Sequence, residues 1–146
     1  MSTKPFSNRA KRYFDVAKRN SQKSTFSRYS NRNKTVRIGA VIVKGNYIVA
    51  HGHNKNKSHT MQKYYNDKTD RETLPHIHNI HAEVDALIRS RYNDLDGCEI
   101  YVYRESVKGN LADCKPCKAC MQALTDAGVK HVYFTSKDGF HYERIN

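Results

Sequence analysis

With 146 residues, the chain has room for one buried core and too little length for two independent domains. Its 38% hydrophobic content excludes wholesale disorder, and no apolar run approaches the roughly 18 residues that span a bilayer, so no membrane partner is expected. The formal charge of +12 is unevenly spread: residues 1–37 hold eleven Lys and Arg against Asp15 alone, whereas 38–146 are close to balanced. The opening MSTKPFSNRAKRYFDVAKRN is basic but has no apolar stretch of the secretory kind, which points to the cytoplasm. The basic excess suits phosphate-bearing partners.

In chain order, Ala10, Tyr13, Phe14 and Ala17 recur at helical spacing and predict an amphipathic first helix over 8–20. The polar, Ser-rich run SQKSTFSRYSNRNK has no period and reads as a loop, so residues 1–35 form a basic N-terminal helix and loop ahead of a core spanning 36–146. VRIGAVIVK (36–44) and YIVAH (47–51) flank Gly45-Asn46, a hairpin signature, and predict the first two strands. From Gly52 to Asn79 runs a long polar connection, a length that usually serves function. Ile80 to Tyr92 reads as a helix with Asn79 at its cap, and CEIYVY (98–103) as a third strand. A helix then opens at Pro116 and ends near Gly128, followed by strand KHVYFT (130–135), the turn Asp138-Gly139 and a tail strand FHYERI. These elements imply a three-layer α/β/α domain with a mixed sheet of about five strands, the last connections running as right-handed crossovers. Ligands of such sheets gather at the carboxyl ends of strands.

Two short motifs carry chemistry, His81-Ala82-Glu83 and Pro116-Cys117-Lys118-Ala119-Cys120, each at an expected helix start. Cysteines at i and i+3 share a helix face, and the positive end of the helix dipole favours their thiolates. With His81, the chain offers one imidazole and two thiolates, a set that suits zinc and leaves a fourth position vacant, as catalytic zinc sites do. Glu83, two residues past His81, is placed to move protons. The spacing Cys114-x-x-Cys117-x-x-Cys120 permits other ligand pairs, and Cys114 could complete a four-ligand structural site. Pro116 favours Cys117 and Cys120 by fixing the helix start, which leaves Cys114 in the preceding loop as a small buried hydrophobe or a neighbour of the metal.

On these residues the chain resembles the zinc-dependent cytidine and deoxycytidylate deaminases, whose H-x-E…P-C-x-x-C signature it carries. RIGAVIVKGNYIVAHGHN, IHAEVDAL, IYVYR, KPCKACMQAL and AGVKHVYF follow in that family's order, leaving the basic N-terminus and the 55–79 connection outside the likeness. Within the family the chain resembles small deoxycytidylate-type deaminases of phages and bacteria, and His81, standing where free-nucleoside deaminases usually have cysteine, leans the resemblance towards a nucleotide or polynucleotide substrate. The resemblance implies a cytidine-deaminase-like fold and zinc held by His81, Cys117 and Cys120. It further implies that Glu83 takes a proton from the attacking water, protonates N3 of cytosine and helps the amine leave. Asn54 would contact the sugar and the Ala82 backbone the base. A pyrimidine nucleotide, above all deoxycytidylate, is the implied substrate, and a homo-oligomer the implied assembly.

Two rival readings keep the same residues. In one, cytosine or adenine within single-stranded DNA or RNA is deaminated while the basic N-terminal segment tracks the backbone. In the other, the chain is a non-enzymatic zinc module that binds nucleic acid. Arg37, Arg104, Lys57 and Lys63 are candidates for a phosphate, Tyr65 and Phe134 for stacking on a base. The resemblance also allows a second, structural zinc at His59, His76 and His78, although that connection lacks cysteine.

Overall fold

The structure is a computed structural model that describes residues 7–24, 36–69, 79–90 and 94–146. Most of the Ser-rich loop, together with His76 and His78, lies outside them. Helix α1 (Asn8–Ser21) is followed by strands β1 (Arg37–Lys44) and β2 (Tyr47–His53), helices α2 (Thr60–Lys68) and α3 (Ala82–Arg89), and strand β3 (Glu99–Glu105). Helix α4 (Lys118–Ala127) and strands β4 (His131–Ser136) and β5 (Gly139–Arg144) complete the order. The strands form a single mixed sheet, β2-β1-β3-β4-β5. Only β3 and β4 pair in parallel, joined through α4. The step from β4 to β5 is an antiparallel hairpin, so the crossover expected for the last connection is confined to α4.

Alternation along the central strands divides the core into two layers. Ala40 and Ile42 of β1, Ile100 and Val102 of β3, and Val132 and Phe134 of β4 face α3 and α4. Their neighbours Val41, Val43, Tyr101 and Tyr103 face α1, which buries Ala10, Tyr13, Phe14 and Ala17 against them. Helices thus cover both faces. Close approach on each side depends on an absent side chain: a Cβ on Gly39 would sit 2.1 Å from the Ala17 carbonyl oxygen, and one on Gly52 2.5 Å from the Ala86 nitrogen. Gly52 therefore lets α3, with its functional first turn, lie directly on β2.

At three helices the structure departs from the sequence expectation for a physical reason. Helix α2 occupies the supposed connection; its fully buried residues are the polar Gln62 and Asn66, with only Met61 and Tyr65 packed on the core beside them, and its cap is His59, whose side chain accepts from the Met61 N–H. Helix α3 is capped by His81 instead of Asn79, which forms an isolated bridge with Ser58. Helix α4 is capped by Cys117, leaving Pro116 just outside the helix and not in its first turn.

Candidate active site

The site forms where the starts of α3 and α4 converge. His81 and Cys117 both occupy N-cap positions in extended backbone, and neither spends its side chain on capping. Their carbonyls accept the first helical bonds, from the N–H groups of Asp85 and Met121. Both side chains are thereby free to point at one another. His81 Nδ1 lies 3.2 Å from Cys120 Sγ and 3.6 Å from Cys117 Sγ, and donor atoms of all three fall within 4.8 Å of one another. A tetrahedral zinc with Zn–N near 2.0 Å and Zn–S near 2.3 Å needs N···S separations of about 3.5 Å. The donor set and its spacing therefore fit zinc, with soft sulfur ligands and a borderline imidazole. Ile80, Val84 and Cys120 form a small apolar cluster behind the sulfurs.

The two thiols are electrostatically unequal. A hydrogen bond from Cys120, aided by His81, holds Cys117 well below the usual thiol range despite its burial. The same contact, together with burial, pushes Cys120 well above that range. The two shifts arise from one contact, and a cation bound to both sulfurs requires both to be thiolates. Two helix N-termini add positive potential at the same point.

Glu83, in the first turn of α3, is 4% exposed and lines a cavity of about 360 Å³ together with His81 and Cys117. Burial raises its pKa, with the nearby Cys117 adding to the shift and His81 opposing it. Asn54, 5% exposed, lines the same cavity. Its Oδ1 accepts from the Ile38 N–H at 3.0 Å and its amide donates to the Val36 carbonyl at 2.6 Å, so β1 fixes its orientation. The amide retains a second N–H and the oxygen a second lone pair. Ala82 is fully buried and does not line the cavity, though as the first helical residue its N–H has no partner within the helix.

Cys114 lines the same cavity, but its sulfur bonds to the sheet. Its Sγ donates to the Val102 carbonyl at 3.3 Å and lies 3.1 Å from Thr135 Oγ1, and burial pushes the thiol up to about 12. It stands outside the His81, Cys117, Cys120 group. Of the four candidate phosphate cations only Arg104 lines the cavity; its guanidinium donates to the Asp113 carbonyl at 3.0 Å. Lys115, not anticipated from the sequence, joins it there. Tyr65 and Phe134 do not line it: Tyr65 donates to Asp126, and Phe134 is a core residue packed on His141.

The turn bearing His81 is held by contacts that no motif announced. The Lys55 N–H donates to the Ile80 carbonyl, and the Ile80 N–H to the Lys57 carbonyl, each at 3.0 Å. The His81 N–H donates to Gln62 Oε1 at 3.0 Å, and Gln62 in turn donates to Asn66 Oδ1. Behind α3, Asp85 accepts from Lys55 and from the His53 N–H, tying the helix to the end of β2.

A profile of the cytidine and deoxycytidylate deaminase zinc-binding region matches residues 8–136. A probable deoxycytidylate deaminase of Caenorhabditis elegans is 33% identical over 71% of the chain, an alignment that spans 49% of that relative's own length. Among solved structures, the dCMP deaminase of cyanophage S-TIM5 in complex with dCMP and dUMP is 26% identical, with a TM-score of 0.58 over 91% of this chain and 83% of that one. The cytidine deaminase of Burkholderia pseudomallei, at 20% identity, shares the fold, with a TM-score of 0.61 over 96% of this chain and 94% of that one.

Proposed function

The chain belongs to the family of cytidine and deoxycytidylate deaminases, and we propose that it hydrolyses a cytosine nucleotide, deoxycytidylate, to the uracil nucleotide and ammonia. The observation that carries this reading is the cluster of His81, Cys117 and Cys120, of which His81 and Cys117 line one cavity with the buried Glu83. The similarity to the cyanophage dCMP deaminase supports a nucleotide, as do Arg104 and Lys115, two cations able to meet a phosphate. In this proposal residues 36–146 are the catalytic core and residues 1–35 a basic N-terminal part that contributes α1. Assembly as a homo-oligomer belongs to the same proposal and is read by sedimentation.

His81 Nδ1 and the two sulfurs would hold zinc. When bound, zinc supplies acidity to a water and stabilises negative charge that develops on oxygen. Glu83 accepts a proton from the water that attacks C4 of cytosine and delivers it to ring N3. The same carboxylate then takes the proton of the new C4 hydroxyl and passes it to the 4-amino group, which leaves as ammonia while the C4 carbonyl of uracil forms. A carboxyl whose pKa is raised by burial is suited to this exchange, because the shift makes it a stronger base towards water than an exposed carboxylate. Asn54, held by β1, presents its remaining donor to the sugar, and the Ala82 N–H meets the base.

The exposed Lys11, Arg12, Lys18 and Arg19 of α1 favour one competing substrate, single-stranded nucleic acid. A panel of deoxycytidylate, cytidylate, deoxycytidine and single-stranded oligonucleotides, with uracil product and ammonia followed directly, separates the two. Turnover of deoxycytidylate with shallow salt dependence is expected. Turnover confined to oligonucleotides, falling steeply with salt, would transfer the activity to the polymer.

A further inference from the structure

The geometry points to α2 as a brace for the metal-binding turn, with Gln62 as a positioning residue that sets the His81 imidazole through the His81 main chain. The inference rests on the proposed zinc site and extends it to the 55–68 segment, which carries no part of the family signature. Residues 55–62 bond to every residue just ahead of α3: Ser58 bridges Asn79, Lys55 and Lys57 take both main-chain groups of Ile80, and Gln62 takes the His81 N–H.

Gln62 is 0% exposed, and its amide orientation is set by Asn66 one helical turn away. A buried side-chain amide accepting from one backbone N–H and donating to one fixed oxygen is a rigid fitting, since each lost bond would leave a buried polar group unsatisfied. The imidazole atom facing the sulfurs is Nδ1, the ring nitrogen nearer the backbone. Two bonds separate it from Cβ, so a shift of the His81 main chain carries almost undiminished to the donor atom. A ligand binding through Nε2 would have more reach to absorb it. Gln62 therefore controls the third donor of the site without touching the metal or the substrate.

The test compares zinc affinity and the cobalt(II) absorption spectrum of the parent, Gln62→Met and Gln62→Glu, using zinc competition against a chromophoric chelator. Methionine fills the space but offers His81 no acceptor. Its zinc dissociation constant should rise about ten- to a hundred-fold, the usual effect of removing a partner of a metal-binding residue, and its cobalt spectrum should shift. Glutamate keeps an oxygen for the His81 N–H, and Asn66 can turn its amide to donate to the second carboxylate oxygen in place of the lost Gln62 donation, so affinity should stay within about threefold of the parent. Equal affinity and spectrum in the parent and Gln62→Met would overturn the inference, as would an equal loss in both variants. A parent that takes up no zinc would instead overturn the metal site itself, before any variant is compared. Should Gln62→Met fail to fold, amide exchange at His81 in the parent decides: slow exchange without metal supports the brace, and unprotected exchange overturns it.

Discussion

Cys114 and Cys117 are separated by two residues, one of which is Pro116, and meet different chemistry. Cys114 is committed to Val102 and Thr135 on the sheet, its thiol raised to about 12 by burial, whereas Cys117 faces His81 and Cys120. Cys114→Ala should therefore retain the parent's zinc content by elemental analysis, and Cys117→Ala should lose it. The reverse pattern would exchange their roles. The spacing C-x-x-C-x-x-C could not decide between them, because it fixes distance along the chain and not which side of the α4 N-terminus each sulfur takes. Pro116 pointed to the division, although it sits one position ahead of the cap and not within the helix. Gln62 was silent in the sequence for another reason: a buried glutamine has no periodic signature, and its partner is a main-chain N–H, which every residue but proline carries.

At the scale of elements, α3 is set on β2 by a close approach at Gly52 and by Asp85, which accepts from Lys55 Nζ at 2.8 Å and from the His53 N–H at 3.0 Å. Burial disfavours the Asp85 carboxylate, but the bonds from Lys55 and His53 and the charges of Lys55 and Arg89 outweigh it and hold the pKa below its usual 3.8. A carboxyl depressed on folding stabilises the fold fully above its unfolded pKa, and this contribution drains away as pH falls through the lower folded value. Chemical denaturation from pH 6 down to about pH 2.5 should show that acid loss in the parent, and a smaller one in Asp85→Asn. The variant should also be less stable at neutral pH by about 2 kcal/mol, since Lys55 loses its partner but can turn towards water. An identical acid profile in both would remove Asp85 from this role. The elements that were legible in the sequence, β1 to β5 and α1, α3 and α4, are those marked by apolar runs bounded by turn residues or by apolar residues at helical spacing. Helix α2 was hidden because its fully buried residues, Gln62 and Asn66, are polar and its cap is a histidine.

Across the whole molecule, the sheet is a partition between an aromatic layer under α1 and the layer beneath α3 and α4 that supports the site. Phe14, 2% exposed, meets Tyr101 edge-on at 5.3 Å and Phe140 at 4.5 Å. Phe14→Ala should cost about 3 kcal/mol and lower Tm by about 10 °C in calorimetry, and an unchanged Tm would mean that α1 contributes nothing to the fold. The basic charge that stands out in the composition lies partly on the outer side of α1, whereas the chemistry of the site depends on short motifs brought together by two helix starts. Among the described residues no helix is long and apolar enough to cross a membrane. The most direct measurement is turnover of deoxycytidylate by the zinc-loaded parent and Glu83→Gln, with deoxyuridylate, ammonia and bound zinc determined on the same samples. Equimolar products from the parent, and at least about a hundred-fold loss in Glu83→Gln at unchanged zinc content, are the predicted result. A zinc-loaded parent inert towards deoxycytidylate, or a Glu83→Gln variant as fast as the parent, would contradict the account.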